Sequence, residues 1–103
     1  MEYVITCGSG TDALLIAYDV GPGDAVFAPT FTFIASVEVI ALLGATPVFV
    51  DVDPATFNLD PEDLNRVVED VKLEGNLPAR AIIAVDTFGI PADYSRIGEV
   101  AAI

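Results

Sequence analysis

The residues with the clearest chemical potential form a glycine-rich turn near the start of the chain, residues 8–14. Its glycines let the backbone approach a ligand closely, and a helix is predicted to follow over residues 12–18. The first N–H groups of such a helix suit a phosphate, and the hydroxyls of Ser9 and Thr11 can add hydrogen bonds. Taken alone, the turn also fits an ordinary helix cap, because it matches neither a Walker loop nor a complete G-x-G-x-x-G sequence.

Few other residues offer chemistry. Asp51 and Asp53 form the only close acidic pair after a predicted strand. A metal or paired-carboxylate site is one interpretation of this pair, and a turn before Pro54 is the simpler one. Cys7 is the single cysteine, which excludes an internal disulfide and fits a reducing, cytoplasmic compartment. Lys72 falls on the polar side of a predicted surface helix and is not expected to be catalytic.

The composition excludes several classes of partner. The net charge is −12 with four cations, so the chain lacks the basic stripe that nucleic acids or anionic membranes require. Residues 25–50 contain one charge, Glu38, but Pro29, Gly44 and Pro47 divide them into pieces too short to cross a bilayer. The first residues do not resemble a signal peptide. We therefore expect a cytoplasmic protein that binds neither nucleic acid nor membrane.

Predicted strands alternate with predicted helices along the chain. The strands are residues 3–6, 25–28, 46–50 and 81–85, and the helices after the first are residues 31–43, one that begins at Pro61 and one that Asp93 caps. This alternation predicts an α/β fold in three layers with mostly parallel strands. Because the chain starts on a strand and stops within a predicted helix, we expect a fragment, or a domain that a partner covers.

Turn and cap signals mark the ends of these elements. Residues 21–24 predict a turn from their two glycines and proline. Asp60 is a good N-cap for the helix that begins at Pro61. Its apolar residues recur at helical spacing and predict one buried face. They are Leu64, Val67, Val68 and Val71.

Five segments together resemble the DegT/DnrJ/StrS family of sugar aminotransferases that depend on pyridoxal 5′-phosphate (PLP). They are SGTDAL from Ser9, GPGDAV from Gly21, PTFTFIAS from Pro29, GATPVFVDVD from Gly44 and DTFGIPAD from Asp86. The segments occur in the family's order and span nearly the whole chain. In the second segment, Ala25 stands where the family usually has Glu.

The resemblance implies a partial fold-type I transferase domain and a PLP site. Residues 1–103 would be an incomplete N-terminal portion of the large, cofactor-binding domain. Gly10 and Thr11 match the residues that hold the cofactor phosphate, and Phe33 matches the aromatic ring that stacks on the pyridine. Asp86 often corresponds to His in relatives, so it receives no catalytic role. The further candidate pocket residues are Ser9, Asp86 and Phe88.

The catalytic groups of the family have no match in this chain. The Schiff-base lysine and the carboxylate that protonates the pyridine nitrogen would both lie beyond the point that matches Ile103, so no catalytic residue and no metal ligand is assigned. The isolated chain is expected to bind cofactor weakly and to catalyse nothing. The stretch between Ala17 and Gly21 is also shorter than in the family, by about one helical turn.

The parent protein is accordingly expected to transfer an amino group, with glutamate as donor, to a nucleotide-linked keto-sugar, and to act as a homodimer. One alternative is a PLP-dependent sugar dehydratase of the same family. Another is a non-catalytic remnant that serves as an interaction domain. A Rossmann-like nucleotide binder is disfavoured because the third glycine of its motif is missing.

Overall fold

Four parallel strands form the centre of the computed structural model, which describes residues 3–7, 19–32 and 34–102. The strands are β1 (Tyr3–Cys7), β2 (Ala25–Pro29), β3 (Thr46–Val50) and β4 (Ala79–Val85). They lie in the order β1-β4-β2-β3, and each neighbouring pair is parallel. The predicted parallel α/β sheet is therefore confirmed.

Helices cover both faces of this sheet. They are α1 (Ala35–Leu42), α2 (Pro61–Glu74) and α3 (Tyr94–Ala101), and a short 3-10 turn (Thr87–Gly89) follows β4. The chain passes from β2 to β3 through α1 on one face, and returns across β2 to β4 through α2 on the other. A reversal of both direction and face keeps the crossover handedness constant. Within the described ranges, no helix has the length and apolar character needed to span a bilayer.

The two central strands bury both of their faces. In β2, Ala25 and Phe27 pack toward α2 and α3, whereas Val26 and Ala28 pack toward α1. All four are fully buried, and the central part of β4 follows the same alternation. Burial on both sides explains why these strands are continuous apolar runs without polar alternates. The edge strand β3 is different, since its Phe49 is 51% exposed.

The predicted start of α2 is confirmed. Asp60 is the N-cap, and its carboxylate accepts a hydrogen bond from the Glu62 N–H at 2.9 Å. Pro61 occupies the first helical position, and Gly75 ends the helix in the left-handed conformation at φ 70°. The predicted apolar face is also confirmed. Leu64, Val67 and Val68 are buried, and Val71 packs against the same core.

Two further turn and cap predictions are confirmed, and a glycine follows the end of α1. Asp93 caps α3 by accepting from the Arg96 N–H at 3.2 Å. Gly44 follows α1 with φ 77°, a value that L side chains rarely adopt. The turn over residues 21–24 closes through a 3.1 Å bond from the Asp24 N–H to the Gly21 carbonyl.

The predicted start of the second helix is wrong. A helix was expected over residues 31–43, but α1 begins four residues later. Thr30, the residue after β2, still pairs with β3, because its N–H donates to the Val50 carbonyl at 3.0 Å. The Phe31 ring packs 5.2 Å from the Phe57 ring, centroid to centroid. The residue before α1 offers no capping side chain, so the sequence carries no local signal for the true start.

Candidate functional site

The carboxyl ends of three adjacent strands bring the predicted site segments to one edge of the sheet. Cys7, the last residue of β1, is the register partner of Val85, the last residue of β4. The glycine-rich turn follows Cys7 in the sequence, and Asp86 follows Val85. On the other side of β4 lies β2, after which the chain continues into residues 30–32. In open α/β sheets, this edge is where ligands bind.

Part of the predicted site falls on residues that the structure does not describe. Ser9, Gly10, Thr11 and Phe33 lie outside the described residues. Their roles in holding the cofactor phosphate and ring therefore remain predictions. The other two candidate pocket residues, Asp86 and Phe88, are described, and both lie on the segment that leaves β4 at this edge.

Asp86 is held by the segment that follows it. Its Oδ1 accepts a hydrogen bond from the Tyr94 hydroxyl and another from the Ala92 N–H at 3.0 Å. Tyr94 contributes most and Ala92 next to a pKa of Asp86 below its usual range, and the slight burial of the carboxylate opposes them. Asp86 is thus charged at neutral pH and holds its own loop in place. A carboxyl group whose pKa lies so far below neutral pH is poorly suited to proton transfer.

Phe88 belongs to an exposed group of three rings, which we call the aromatic triad (Phe31, Phe57 and Phe88). The ring centroids are 5.2 Å apart for Phe31 and Phe57, 6.0 Å for Phe31 and Phe88, and 6.1 Å for Phe57 and Phe88. These distances are typical of interacting aromatic pairs. The side chains are nevertheless 46%, 43% and 76% exposed, in chain order. The triad therefore forms an apolar surface beside the segment that carries Asp86.

Asn58 joins the two loops that carry two of these rings. It is only 4% exposed. Its Oδ1 accepts from the Thr87 N–H at 2.8 Å, and its Nδ2 donates to the Ile90 carbonyl at 2.9 Å. The Thr87 hydroxyl adds a bond to the Phe57 carbonyl at 3.2 Å. We call this set of contacts the Asn58 bracket. Sequence reasoning missed it, and the available signal was a single amide between two apolar residues.

The Asp53 carboxylate stabilises a turn, as the simpler interpretation of the acidic pair holds, and Asp51 contacts α2 through its backbone. Asp53 Oδ1 accepts from the Ala55 N–H at 2.8 Å, and its carbonyl accepts from the Phe57 N–H at 2.7 Å. The Asp51 N–H donates to the Asp63 carboxylate at 2.8 Å. Among the described residues, no three His, Cys, Asp or Glu side chains are grouped so that they could hold a metal ion.

Lys72 lies away from the candidate site. It is exposed in the last turn of α2. Residues 75–78 connect that end of α2 to the start of β4, which is the opposite edge of the sheet from Asp86. Lys72 therefore lies toward the amino ends of the strands, away from the edge that carries Asp86.

The whole chain is similar to proteins of one known family. The sequence model that describes the DegT/DnrJ/EryC1/StrS aminotransferase family matches residues 1–103 of this chain. The chain belongs to this family. A family relative from Pseudomonas aeruginosa, UDP-2-acetamido-2-deoxy-3-oxo-D-glucuronate aminotransferase, is 45% identical over 98% of this chain and 27% of its own length. The chain thus spans about a quarter of the curated relatives that it matches.

Two solved structures support the same assignment. A crystal structure of a family aminotransferase from Brucella abortus is 50% identical, with a TM-score of 0.86 over 93% of this chain and 26% of that protein. NtdA from Bacillus subtilis, solved with the cofactor PMP bound, is 31% identical, with a TM-score of 0.69 over 90% of this chain and 20% of that protein. The fold is therefore that of the fold-type I PLP-dependent aminotransferases.

Proposed function

We propose that residues 1–103 form part of the large, cofactor-binding domain of a PLP-dependent sugar aminotransferase. The observation that carries the proposal is the register of β1 and β4, which pairs Cys7 with Val85. Because of this register, the glycine-rich turn and the segment that carries Asp86 follow the adjacent ends of two neighbouring strands. Membership of the aminotransferase family over the whole chain supports a cofactor site at this edge of the sheet.

The residue types of the glycine-rich turn, together with Phe33, suit the cofactor. In the proposal, the backbone N–H groups of Gly10 and Thr11 and the Thr11 hydroxyl bind the phosphate, as expected for a glycine-rich turn before a helix. Phe33 supports the pyridine ring by stacking. The carboxylate of Asp86, which follows β4, accepts hydrogen bonds from the Tyr94 hydroxyl and the Ala92 N–H. Bound PLP supplies the electron sink for amino transfer.

The substrate class follows from the relatives. The Pseudomonas aeruginosa relative is named for a UDP-linked 3-oxo sugar. We extend this to the whole enzyme that contains these residues, with a nucleotide-linked keto-sugar as amino acceptor and glutamate as amino donor. The enzyme would be a cytoplasmic homodimer. The exposed aromatic triad is consistent with a surface that further protein covers.

The test compares two threonines in the whole enzyme. Thr11→Val removes the hydroxyl assigned to the phosphate. Thr46→Val makes the same change at the exposed start of the outer strand β3, which lies at the amino ends of the strands. We expect about tenfold weaker PLP binding for Thr11→Val, the order of one lost charge-assisted hydrogen bond, and unchanged binding for Thr46→Val. Equal affinities for all three proteins would contradict the assignment of Thr11.

A second measurement separates the two reactions found in the family. The enzyme is mixed with PLP, glutamate and a UDP-linked 3-keto-sugar, and the sugar product is analysed by mass spectrometry. An aminotransferase gives an amino sugar that retains its hydroxyl groups. A dehydratase gives a product that has lost a hydroxyl, and a non-catalytic remnant gives no product.

A further inference from the structure

Asn58 is the buried polar side chain whose position most needs an explanation. Burying an amide is costly unless its donor and acceptor are both paired. Asn58 is 4% exposed beside the core residue Leu59, and both ends of its amide are paired. Its partners lie 29 and 32 residues further along the chain, so these bonds join separate loops.

The Asn58 bracket holds the segment after β4 at both ends. Asn58 Oδ1 accepts a hydrogen bond from the Thr87 N–H, and Asn58 Nδ2 donates one to the Ile90 carbonyl. Between these two points the segment closes on itself, since the Ile90 N–H donates to the Thr87 carbonyl at 3.0 Å and the Gly89 N–H donates to the Asp86 carbonyl at 3.1 Å. The internal bonds give the turn its shape. The bracket fixes the orientation of that turn on the sheet edge.

Two residues next to the bracket in sequence, one before Asn58 and one after Thr87, adopt a backbone conformation of high energy. Phe57 has φ 62° and Phe88 has φ 56°, in the left-handed region that bulky side chains rarely occupy. Such conformations persist only where the surroundings determine them, and they concentrate at functional sites. Here the Phe57 carbonyl accepts from the Thr87 hydroxyl, and the Thr87 N–H is held by Asn58.

We propose that Asn58 is a positioning residue of the candidate site, which holds residues 87–90 so that Phe88 and Asp86 stay at the carboxyl edge of β4. This inference rests on the proposed function, because the two candidate pocket residues affect the sugar substrate only if that edge is the site. Asn58 does not touch the reacting atoms in this account. Its amide, rather than its volume, sets the position of the segment.

The inference is tested with Asn58→Asp and Asn58→Ala in the whole enzyme. Aspartate keeps the size and the acceptor for the Thr87 N–H, but it loses the donor to Ile90 and places a carboxylate against a carbonyl. Thr87→Val is a milder variant that removes only the bond to Phe57, and it serves if the Asn58 variants fail to fold. Val68→Ala is the control, because it removes core volume in α2 and leaves every hydrogen bond of the Asn58 bracket in place.

Two readouts separate positioning from a merely structural role. Amide hydrogen exchange of Thr87 should become at least about tenfold faster in Asn58→Ala, which removes the acceptor of that N–H. The KM for a UDP-linked 3-keto-sugar should rise about tenfold in both Asn58 variants while kcat changes much less. Thr87→Val should shift both in the same direction by a smaller factor. Val68→Ala should lower the melting temperature and leave both readouts unchanged.

The contradicting results are distinct. An active wild-type enzyme whose Asn58 variants keep the wild-type KM, or change it no more than Val68→Ala does, overturns the inference and leaves the proposed function standing. A wild-type enzyme that transfers no amino group overturns the proposed function. In that case the exchange of Thr87 still decides whether the bracket sets residues 87–90, and an unchanged rate in Asn58→Ala overturns that claim as well.

Discussion

Cys7 and Val85 lie side by side at the ends of two parallel strands. The chain leaves β1 toward the glycine-rich turn and leaves β4 toward Asp86, so two segments far apart in sequence start from adjacent positions. On the other side of β4, β2 ends at Pro29 and leads to Phe31. The predicted site is therefore a consequence of strand order, since the segments that carry it follow three neighbouring strands.

The hydrogen bond between Tyr94 and Asp86 should control the charge of that carboxylate. Tyr94→Phe removes the largest cause of the low Asp86 pKa, so the pKa should rise toward the ordinary value of about 3.9. The measurement is an NMR pH titration of the carboxyl carbons. Asp63, whose pKa is also lowered but by other groups, is the internal control and should titrate as in the wild type. An unchanged Asp86 titration would contradict the assigned cause.

Asp63 should stabilise the fold more than its charged neighbour Asp70 does. Its carboxylate accepts from the Asp51 N–H at 2.8 Å and meets Arg66 at 2.7 Å, and its side chain is 14% exposed. Asp63→Ala is expected to cost about 1–2 kcal/mol. Asp70→Ala, which loses only an exposed 3.3 Å contact with Arg66, should cost less than about 0.5 kcal/mol. Urea unfolding of both variants measures the difference, and equal losses would refute it.

The contribution of Asp63 should also depend on pH. Partial burial tends to raise its pKa, but the hydrogen bonds from Asp51 and Arg66 outweigh that effect, so the pKa is lowered in the folded state. A lowered folded-state pKa stabilises the protein above the unfolded value of about 3.9, and this stability is lost as the pH falls through the folded value. The gap between wild type and Asp63→Ala in urea unfolding should therefore be full at pH 7 and should narrow below about pH 4. A gap that is constant from pH 7 to pH 3 would count against this linkage.

Gly44 should tolerate no side chain. Its φ is 77°, and an added Cβ would lie 3.0 Å from Cγ of Pro22 in the turn before β2. Gly44→Ala is expected to destabilise the fold by about 1–2 kcal/mol. Gly98→Ala is the matched control, because Gly98 lies in α3 with open space around its Cβ position, and it should stabilise by about 0.5–1 kcal/mol. Thermal unfolding compares the two, and opposite signs are the expected result.

Local sequence rules predicted the elements that are stabilised by contacts nearby in the sequence or whose residues are fully buried. The strands β2 and β4 were recognisable because burial of both faces leaves uninterrupted apolar runs. The cap at Asp60 was recognisable because its partner lies two residues away. The start of α1 was predicted wrongly, since Phe31 packs against rings from distant loops instead of continuing a helix.

The candidate site shows the same division. The Asn58 bracket depends on partners 29 and 32 residues away, and no local pattern specifies that pairing. The aromatic triad likewise joins three loops. Gly10, Thr11 and Phe33 were assigned by resemblance to the family, and their roles remain predictions that mutagenesis must test. What the structure adds is the shared edge toward which their segments lead.

The most direct test of the central claim follows the amino group itself. The whole enzyme containing this chain is stripped of cofactor, reconstituted with PLP, and incubated with 15N-labelled glutamate and a UDP-linked 3-keto-sugar. The account predicts a sugar product that carries 15N, formed only when PLP is added and more slowly with Thr11→Val at limiting PLP. A sugar that acquires no 15N, or that acquires it equally well without PLP, would contradict the account.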